Sequence, residues 1–188
     1  MRHEHHSNGY LISTDPARLD IDAIHAYLSG ESYWARGIPR DIVARSLEHS
    51  LCFGVYHGQR QVGLARVISD RATYAYLCDV YILEDHRGKG LSKWLMTCIL
   101  AHPDLQGLRR FTLATRDAHG LYEQFGFAPP ANPASAMEIR NADAYGKVES
   151  LGVWESGSRE LGPKTESRDP KTENAHSMPD VIPPFHNS

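Results

Sequence analysis

A short run of glycine and basic residues, Arg87-Gly88-Lys89-Gly90, follows a β-rich segment and precedes a segment whose apolar residues have helical spacing. A loop of this kind presents backbone N–H groups at the positive end of a helix dipole, where anions bind. Gly88 and Gly90 would let an anion approach the backbone, and Arg87 and Lys89 would add positive charge at the rim. The pattern predicts a phosphate site, and a pyrophosphate suits it best.

Other interpretations of this loop can be weighed against the sequence. The Walker A pattern GxxxxGK[ST] is absent. The dinucleotide fingerprint GxGxxG belongs to an early βαβ unit, whereas this loop follows a hairpin-rich stretch. From the four residues alone, a connecting turn that uses glycine for its conformation is as good an interpretation as a phosphate site.

The wider segment ILEDHRGKGLS, which ends at Ser92, resembles the acyl-CoA loop of the GNAT superfamily of N-acetyltransferases. That loop has the pattern Q/R-x-x-G-x-G/A, and Arg87, Gly90 and Ser92 occupy its three defined positions. Ser92 stands where the family usually has Gly or Ala, and Glu84 stands where many members have Pro. Because serine is small, the backbone at this position stays accessible.

A second segment, AHGLYEQFGF at residues 118–127, is similar to the A-x-x-L-Y-x-x-x-G-F segment of the same superfamily. It lies downstream at the expected distance. Thr115 stands where the family usually has Asn, which leaves the cofactor contact of that residue open. Two motifs in this order identify residues 10–140 as similar to the GNAT domain.

The resemblance implies an α+β fold of the GNAT type. Its central sheet is mixed, largely antiparallel and twisted, with about six or seven strands and about four flanking helices, and acetyl-CoA lies in the cleft of the splayed central strands. It also implies an enzyme that uses acetyl-CoA as cosubstrate, without a metal, and acetylates a primary amine by direct attack. We expect a small-molecule acceptor rather than a protein, and a homodimer is a further family expectation.

A non-catalytic module that binds acyl-CoA as a sensor or an interaction domain is the alternative from a different class. Retention of Tyr122, which the resemblance makes catalytic, argues against that alternative.

The resemblance places acetyl-CoA on backbone groups of the strand and the loop. The pantetheine arm would pair with residues 80–82 like an added strand, and an amide there would stabilise the oxyanion. The pyrophosphate would lie on the amides of residues 88–92. The predicted cofactor-binding residues are Val80, Tyr81, Ile82, Arg87, Gly88, Lys89, Gly90, Leu91 and Ser92.

Two residues are predicted to transfer protons. The resemblance assigns Tyr122 the role of general acid toward the leaving thiolate, and a phenol with an ordinary pKa of about 10 is protonated at neutral pH. A core aromatic with a satisfied hydroxyl is the alternative. Asp79, the one acidic residue inside the strand before the loop, is either the general base or a carboxylate that holds a neighbouring loop. Further candidates for the base are Glu84, His86, His119 and a water chain.

The acceptor site is expected at the connection GESYWARG, where the family places its variable substrate loops. Tyr33 and Trp34 could stack on an acceptor, and Arg36 could bind a carboxylate or phosphate on it. The alternative is that the aromatic side chains anchor the loop to the core. Two further residues are candidates through their proximity to the second motif: Arg116 and Asp117.

The elements that must position these residues are predicted from hydrophobic spacing and turn signals. Two short helices precede the sheet, the first capped by Asp20 or Asp22 and the second starting near Pro39. A helix follows the glycine loop, and another carries Tyr122 and ends at Gly126. The predicted strands span residues 10–13, 51–56, 61–68, 72–83, 111–114 and 136–140, with a hairpin turn at 57–60.

The length, composition and net charge of the chain fit one domain outside the membrane. The chain has 188 residues, of which 41% are hydrophobic, enough for one sizeable core. The net charge of −3 gives no reason to expect nucleic acid, and no apolar run approaches the roughly 18 residues of a membrane span. Three cysteines without metal-site spacing indicate free thiols and a reducing cytoplasm.

The two ends of the chain differ from the middle. The polar sequence MRHEHHSN predicts a flexible N-terminus over residues 1–8, and its histidines are not expected to hold a metal. Beyond residue 150 the sequence is rich in Pro, Ser and charged residues, which predicts a flexible tail over 151–188. The acetyltransferase domain is therefore predicted over residues 9–150.

Overall fold

The described residues form one sheet of six strands, and every strand lies beside its neighbour in the sequence. The strands are β1 (Glu4–Ser7), β2 (Tyr10–Ser13), β3 (Leu51–His57), β4 (Arg60–Ser69), β5 (Tyr74–Ile82) and β6 (Arg110–Leu113). In the computed structural model, which describes residues 2–141 and 144–145, β1 to β5 pair antiparallel and β6 runs parallel to β5. This confirms the predicted mixed and largely antiparallel sheet.

Helices flank the sheet, as predicted for an α+β fold. The described residues form four α-helices: α1 (Ile21–Ala26), α2 (Arg40–Glu48), α3 (Leu91–Leu100) and α4 (His119–Tyr122). Asp20 caps α1 because its carboxylate accepts a hydrogen bond from the Ala23 amide at 3.0 Å. A π-helical turn, Tyr27–Glu31, extends α1, and a 3-10 turn, Glu123–Phe125, extends α4 to Gly126.

The two faces of the sheet carry separate apolar layers. Phe53 and Ala65 pack in the layer that contains Leu95 of α3, whereas Cys52 and Leu64 pack with residues of α1 and α2. Because successive side chains of a strand point to opposite faces, α3 covers one face of the sheet and α1 and α2 cover the other. No described helix has the length and apolar character needed to cross a membrane.

The N-terminus departs from its prediction. Residues Glu4–Ser7 form β1 and pair with β2 through Ser7↔Tyr10, so the prediction of a flexible end over 1–8 is wrong for this segment. The turn between the strands consists of Asn8 and Gly9, both with positive φ. Asn-Gly is a strong signal for such a two-residue hairpin, although the strand that precedes it is polar and lacks the apolar alternation that usually indicates a strand.

The last predicted strand, over residues 136–140, is not formed. Its alternation of apolar residues suggested burial on one side, but Met137 and Ile139 are fully exposed. A 3-10 turn, Pro133–Ser135, precedes them instead, and no layer covers their side chains. The predicted tail over 151–188 and the domain boundary at 150 lie outside the described residues.

Candidate active site

A cleft opens where β5 and β6 diverge. β6 pairs only with the first four residues of β5, from Tyr74↔Arg110 to Leu77↔Leu113, while β5 continues to Ile82 along β4. The space between the strands has a volume of about 360 Å³. It is lined by Tyr33, Trp34, Tyr76, Leu77, Cys78, Asp79, Val80, Ala114, Thr115, Arg116, Asp117, Ala118 and Tyr122.

The end of β5 presents unpaired backbone toward the side that β6 has left. The Leu83 amide donates to the Val62 carbonyl of β4 at 2.8 Å, and backbone direction alternates along a strand, so the backbone groups of Val80 and Ile82 face away from β4. Arg87 confirms this direction, because its Nε donates to the Ile82 carbonyl at 2.9 Å.

Tyr81, which is also predicted to bind the cofactor, has its backbone on the other side of β5. Its partner on β4 is Leu64, and the same alternation turns the Tyr81 backbone toward that strand. Its side chain is buried and stacks on Tyr27, with the ring centroids 3.8 Å apart. Tyr81 therefore belongs to the core under α1.

A β-bulge at Asp79 re-aims β5 just before this free backbone. Leu64 pairs with Tyr81 but Arg66 pairs with Cys78, so β5 has one extra residue opposite β4. Asp79 adopts a φ of +52°, a left-handed conformation that is uncommon outside glycine and costs about 1 kcal/mol or more. The contacts of its side chain hold it in this conformation.

The Asp79 carboxylate is held by two donors. Arg66 Nε lies 2.6 Å from Oδ2, with only 15% and 9% of the two side chains exposed, and Trp34 Nε1 donates to Oδ1 at 3.0 Å. Burial by itself lowers the pKa of Arg66, but the charge of Asp79 raises it above its ordinary value, so the guanidinium stays charged. Both oxygens are engaged by protein donors, which matches a carboxylate that holds a loop.

Tyr122 reaches the cleft from α4. Its side chain is 8% exposed, and its hydroxyl has no hydrogen-bond partner among the described residues. Burial, together with Tyr33 and Asp117, raises the pKa of this phenol to about 12. The hydroxyl is therefore protonated at neutral pH and able to donate into the cleft.

An aromatic rim borders the cleft on the side of the loop after α1. Tyr33 and Trp34 meet edge to face with centroids 5.0 Å apart, and they are 45% and 40% exposed. The Arg116 amide donates to the Tyr33 hydroxyl at 3.2 Å. Trp34 donates a hydrogen bond to Asp79, which anchors the loop, while both rings remain partly exposed. The same two rings can therefore anchor the loop and offer a stacking surface.

Arg36, the third residue predicted to contact the acceptor, is not brought to the cleft. It is exposed and is not among the cleft-lining residues. The neighbouring Ala35 is 5% exposed and packs inward, and the chain turns at Gly37 with a φ of +76°. The side chain that follows Ala35 therefore points outward. Arg116 and Asp117 do line the cleft, as proximity suggested.

The glycine loop exposes a run of backbone amides. Gly88 and Gly90 have φ values of +73° and +76°, and the first amide of α3 that donates within the helix is that of Trp94, to the Gly90 carbonyl. The amides of residues 88–93 have no acceptor in the described part of the chain. Free amides at the start of a ten-residue helix suit a pyrophosphate.

The basic side chains of this loop are turned toward the fold. Lys89 Nζ donates to the Asp85 carbonyl at 3.0 Å and to the Tyr10 hydroxyl at 3.3 Å. That hydroxyl also bonds to Nδ1 of buried His86 at 2.9 Å. Arg87 bonds to the end of β5. The predicted positive rim thus consists of side chains that already fix the loop in place.

Sequence reasoning missed Arg66, although a signal for it exists. Arg66 is the one charged residue of the run VGLARVI, just as Asp79 is in its own strand. Two opposite charges in apolar strands that are joined by a turn predict a buried pair, since an unpaired charge there would be costly.

Comparisons with known proteins agree with this fold. Residues 21–127 match the model of the Acetyltransferase (GNAT) family. A protein of Gibberella zeae whose name assigns it to the acetyltransferases is 39% identical over an alignment of 135 residues, which covers 60% of this chain and 75% of the relative. The chain belongs to the GNAT family, and it is an acetyltransferase.

Solved structures extend the comparison. A GNAT-family protein of Xanthomonas campestris pv. campestris is 54% identical, with a TM-score of 0.73 over 76% of this chain and 100% of that one. Glucosamine-6-phosphate N-acetyltransferase of Arabidopsis thaliana is 12% identical, with a TM-score of 0.52 over 71% of this chain and 98% of that one. The second likeness is one of fold alone.

Proposed function

We propose that this acetyltransferase moves an acetyl group from acetyl-CoA to the primary amine of a small molecule by direct attack. The observation that carries the proposal is the unpartnered Tyr122 hydroxyl at the cleft between β5 and β6. A proton donor for a leaving group needs a hydroxyl that is free to donate, and the Tyr122 hydroxyl meets this requirement at the cleft.

The chain binds acetyl-CoA mainly through backbone groups in this proposal. Val80 and Ile82 offer the unpaired edge of β5 to the pantetheine arm. The amides of residues 88–92 receive the pyrophosphate at the start of α3. Acetyl-CoA supplies the thioester, whose carbonyl carbon accepts the amine and whose sulfur departs as a thiolate.

In the proposed reaction the protein supplies one proton, to the leaving group. The amine nitrogen forms a bond to the acetyl carbon, the carbon–sulfur bond breaks, and Tyr122 protonates the departing sulfur. The nitrogen loses one proton to solvent in the open cleft, and Tyr122 recovers its own from solvent. Asp79 is engaged by Arg66 and Trp34, and the alternative bases Glu84, His86 and His119 do not line the cleft, so a water chain is the base that we propose.

The cleft favours a small acceptor. Its volume of about 360 Å³ must hold the acetyl end of the cofactor as well as the acceptor, and the aromatic rim narrows its mouth. The three cysteines, Cys52, Cys78 and Cys98, are free thiols, which suits the proposed location in a reducing cytoplasm. A sensor without turnover would have no use for the Tyr122 hydroxyl.

The substitution Tyr122→Phe tests this proposal. We expect turnover, measured as CoA-thiol release with a panel of small amines, to fall by about a hundredfold because the thiolate loses its proton donor. The acetyl-CoA Kd, measured by calorimetry, should stay within about twofold because the ring remains.

A matched control removes a hydroxyl outside the cleft. Tyr74 bonds to Thr112 at 2.7 Å and does not line the cleft, so Tyr74→Phe should leave turnover unchanged. Wild-type turnover in Tyr122→Phe would remove Tyr122 from the mechanism. Acetyl-CoA binding without turnover in the wild type, over the whole panel, would favour the sensor.

A further inference from the structure

Arg116 is the cationic side chain of the cleft. Among the described residues that line the cleft, no other carries a positive charge. It lies between β6 and α4, on the side of the cleft from which Tyr33 and Asp117 act on the pKa of Tyr122. Arg116 therefore lines the same cleft as the hydroxyl that we propose as proton donor.

Tyr33 fixes the orientation of Arg116 at two points. The Arg116 amide donates to the Tyr33 hydroxyl at 3.2 Å, and the guanidinium carbon lies 3.8 Å from the centroid of the same ring. A guanidinium stacked on a ring has one face covered, while its N–H donors project from its edge in the plane. The stack leaves those donors available to a ligand.

The donors of Arg116 have little to bond within the described chain. The nearest carboxylate oxygen, Oδ2 of Asp117, is 3.9 Å away, too far for a hydrogen bond. Asp79, the other acid of the cleft, is already paired with Arg66. The Arg116 side chain is 68% exposed, so an oxyanion can reach it without displacing a protein partner.

We infer that Arg116 determines acceptor specificity, and that the acceptor is a small primary amine that also carries a carboxylate or phosphate group. The inference rests on the proposed transfer to a small amine and names its substrate class. The planar fork of an arginine matches two oxygens of either group. Anchored there, the acceptor would hold its nitrogen toward the acetyl group, and Asp117 would disfavour an acceptor with two anionic groups.

The test compares amine acceptors with and without an anionic group. The probes are para-(aminomethyl)benzoate against para-(aminomethyl)benzamide, and aminoethyl phosphate against ethanolamine. The enzyme is the full chain, and the readouts are CoA-thiol release and calorimetric titration of each probe into the CoA-saturated protein. Both anions should exceed their neutral partners in kcat/KM by about tenfold or more, the expected effect of a charge-assisted hydrogen bond.

Three variants assign the preference to Arg116. Arg116→Gln should lower kcat/KM for the anionic probes by about tenfold, through KM rather than kcat, and leave the neutral probes within about twofold. Arg116→Lys should keep part of the preference, because the charge remains but the planar fork is lost. Arg36→Gln is the matched control and should change nothing, since Arg36 lies outside the cleft.

Equal kcat/KM for anionic and neutral probes would overturn the inference, and so would an unchanged preference in Arg116→Gln. Failure of every anionic probe to bind the CoA-saturated wild type would overturn it as well. A higher kcat/KM for only one of the two anions, relative to its neutral partner, would distinguish a carboxylate acceptor from a phosphate acceptor and would support the inference. Failure of the wild type to bind acetyl-CoA would instead count against the proposed function.

Discussion

The two ends of the proposed substrate site, one for the cofactor and one for the acceptor, use different kinds of chemical group. The glycine loop offers backbone amides, while its side chains Arg87 and Lys89 bond back to the fold. The acceptor end offers side chains, namely the Tyr33 and Trp34 rings and the guanidinium of Arg116. The cofactor site thus depends on backbone conformation, and the acceptor site depends on which residues meet there.

Because of this difference, the two sites should respond differently to substitutions. A site made of amides tolerates changes of side chain but fails when a left-handed glycine or the space above the backbone is lost. A site made of side chains keeps its backbone after a substitution but changes its ligand preference. Substitutions at each end should therefore alter one binding constant and spare the other.

The largest effect is expected from Gly90→Glu. The added side chain brings a negative charge to the site proposed for the pyrophosphate, and it must adopt a φ of +76°. We expect the acetyl-CoA Kd, measured by calorimetry, to rise by about a hundredfold or more, since both the anion approach and the helix terminus are affected.

Gly107→Glu is the matched control for strain and charge. Gly107 also has a positive φ, of +68°, and an added Cβ would meet no atom within 4 Å at either glycine. It lies in the turn before β6, away from the cleft. If both variants weakened acetyl-CoA binding equally, the effect would be one of folding and the amide site would be in doubt.

A smaller effect is expected at the acceptor end from Asp79→Asn. Asparagine tolerates the left-handed conformation and can still accept from Trp34, but Arg66 loses its counter-charge. Breaking a mostly buried pair should lower the free energy of unfolding by about 3 kcal/mol, measured by urea titration. The acceptor KM should rise, whereas the acetyl-CoA Kd should stay within about twofold.

The pH–rate profile of the same variant decides the role of Asp79. Because a loop-holding carboxylate takes no proton in the reaction, the profile should keep its shape. Disappearance of its acidic limb would restore Asp79 as the general base.

The smallest effect concerns His86 under the glycine loop. Burial lowers the pKa of His86, and the charges of Lys89, His57 and Arg60 lower it further. The unfolded chain then binds the proton more readily, so stability is full above the ordinary pKa of about 6.5 and declines as the pH falls through it.

The His86→Asn variant should lose part of this dependence. The free energy of unfolding, measured by urea titration at about pH 7.5 and about pH 5.5, should fall less in the variant than in the wild type. His49→Asn, which replaces an exposed histidine, is the control. An identical decline in all three proteins would show that the loop contains no such titrating group.

The glycine loop and its neighbours could be predicted from the sequence because their signals are local. Gly88 and Gly90, the helix that follows them and the position of Tyr122 are each encoded within a few adjacent residues, and the structure places them as expected. The hairpin of β3 and β4 is of the same kind, since its two-residue turn at Gly58 and Gln59 closes the pair His57↔Arg60.

The acceptor end resisted prediction because its contacts join distant segments. The partners Trp34, Arg66 and Asp79 come from a loop and two strands, and spacing along the chain does not reveal that they meet. Proximity in sequence favours Arg36 over Arg116 as the residue that binds an anionic group of the acceptor, because Arg36 follows the two aromatic residues closely. In the folded chain Arg116, which follows β6, stacks on Tyr33. The positive charge in the cleft is therefore that of Arg116.

The order of the strands has a consequence for how the cleft assembles during folding. The turns that join β3 to β4 and β4 to β5 are short, and contacts between strands joined in this way close small loops at low entropic cost. β6 reaches β5 only after the chain has closed the long connection from Ile82 to Arg110. We therefore expect the meander of β3 to β5 to form first, and the cleft to exist only once β6 has docked beside it.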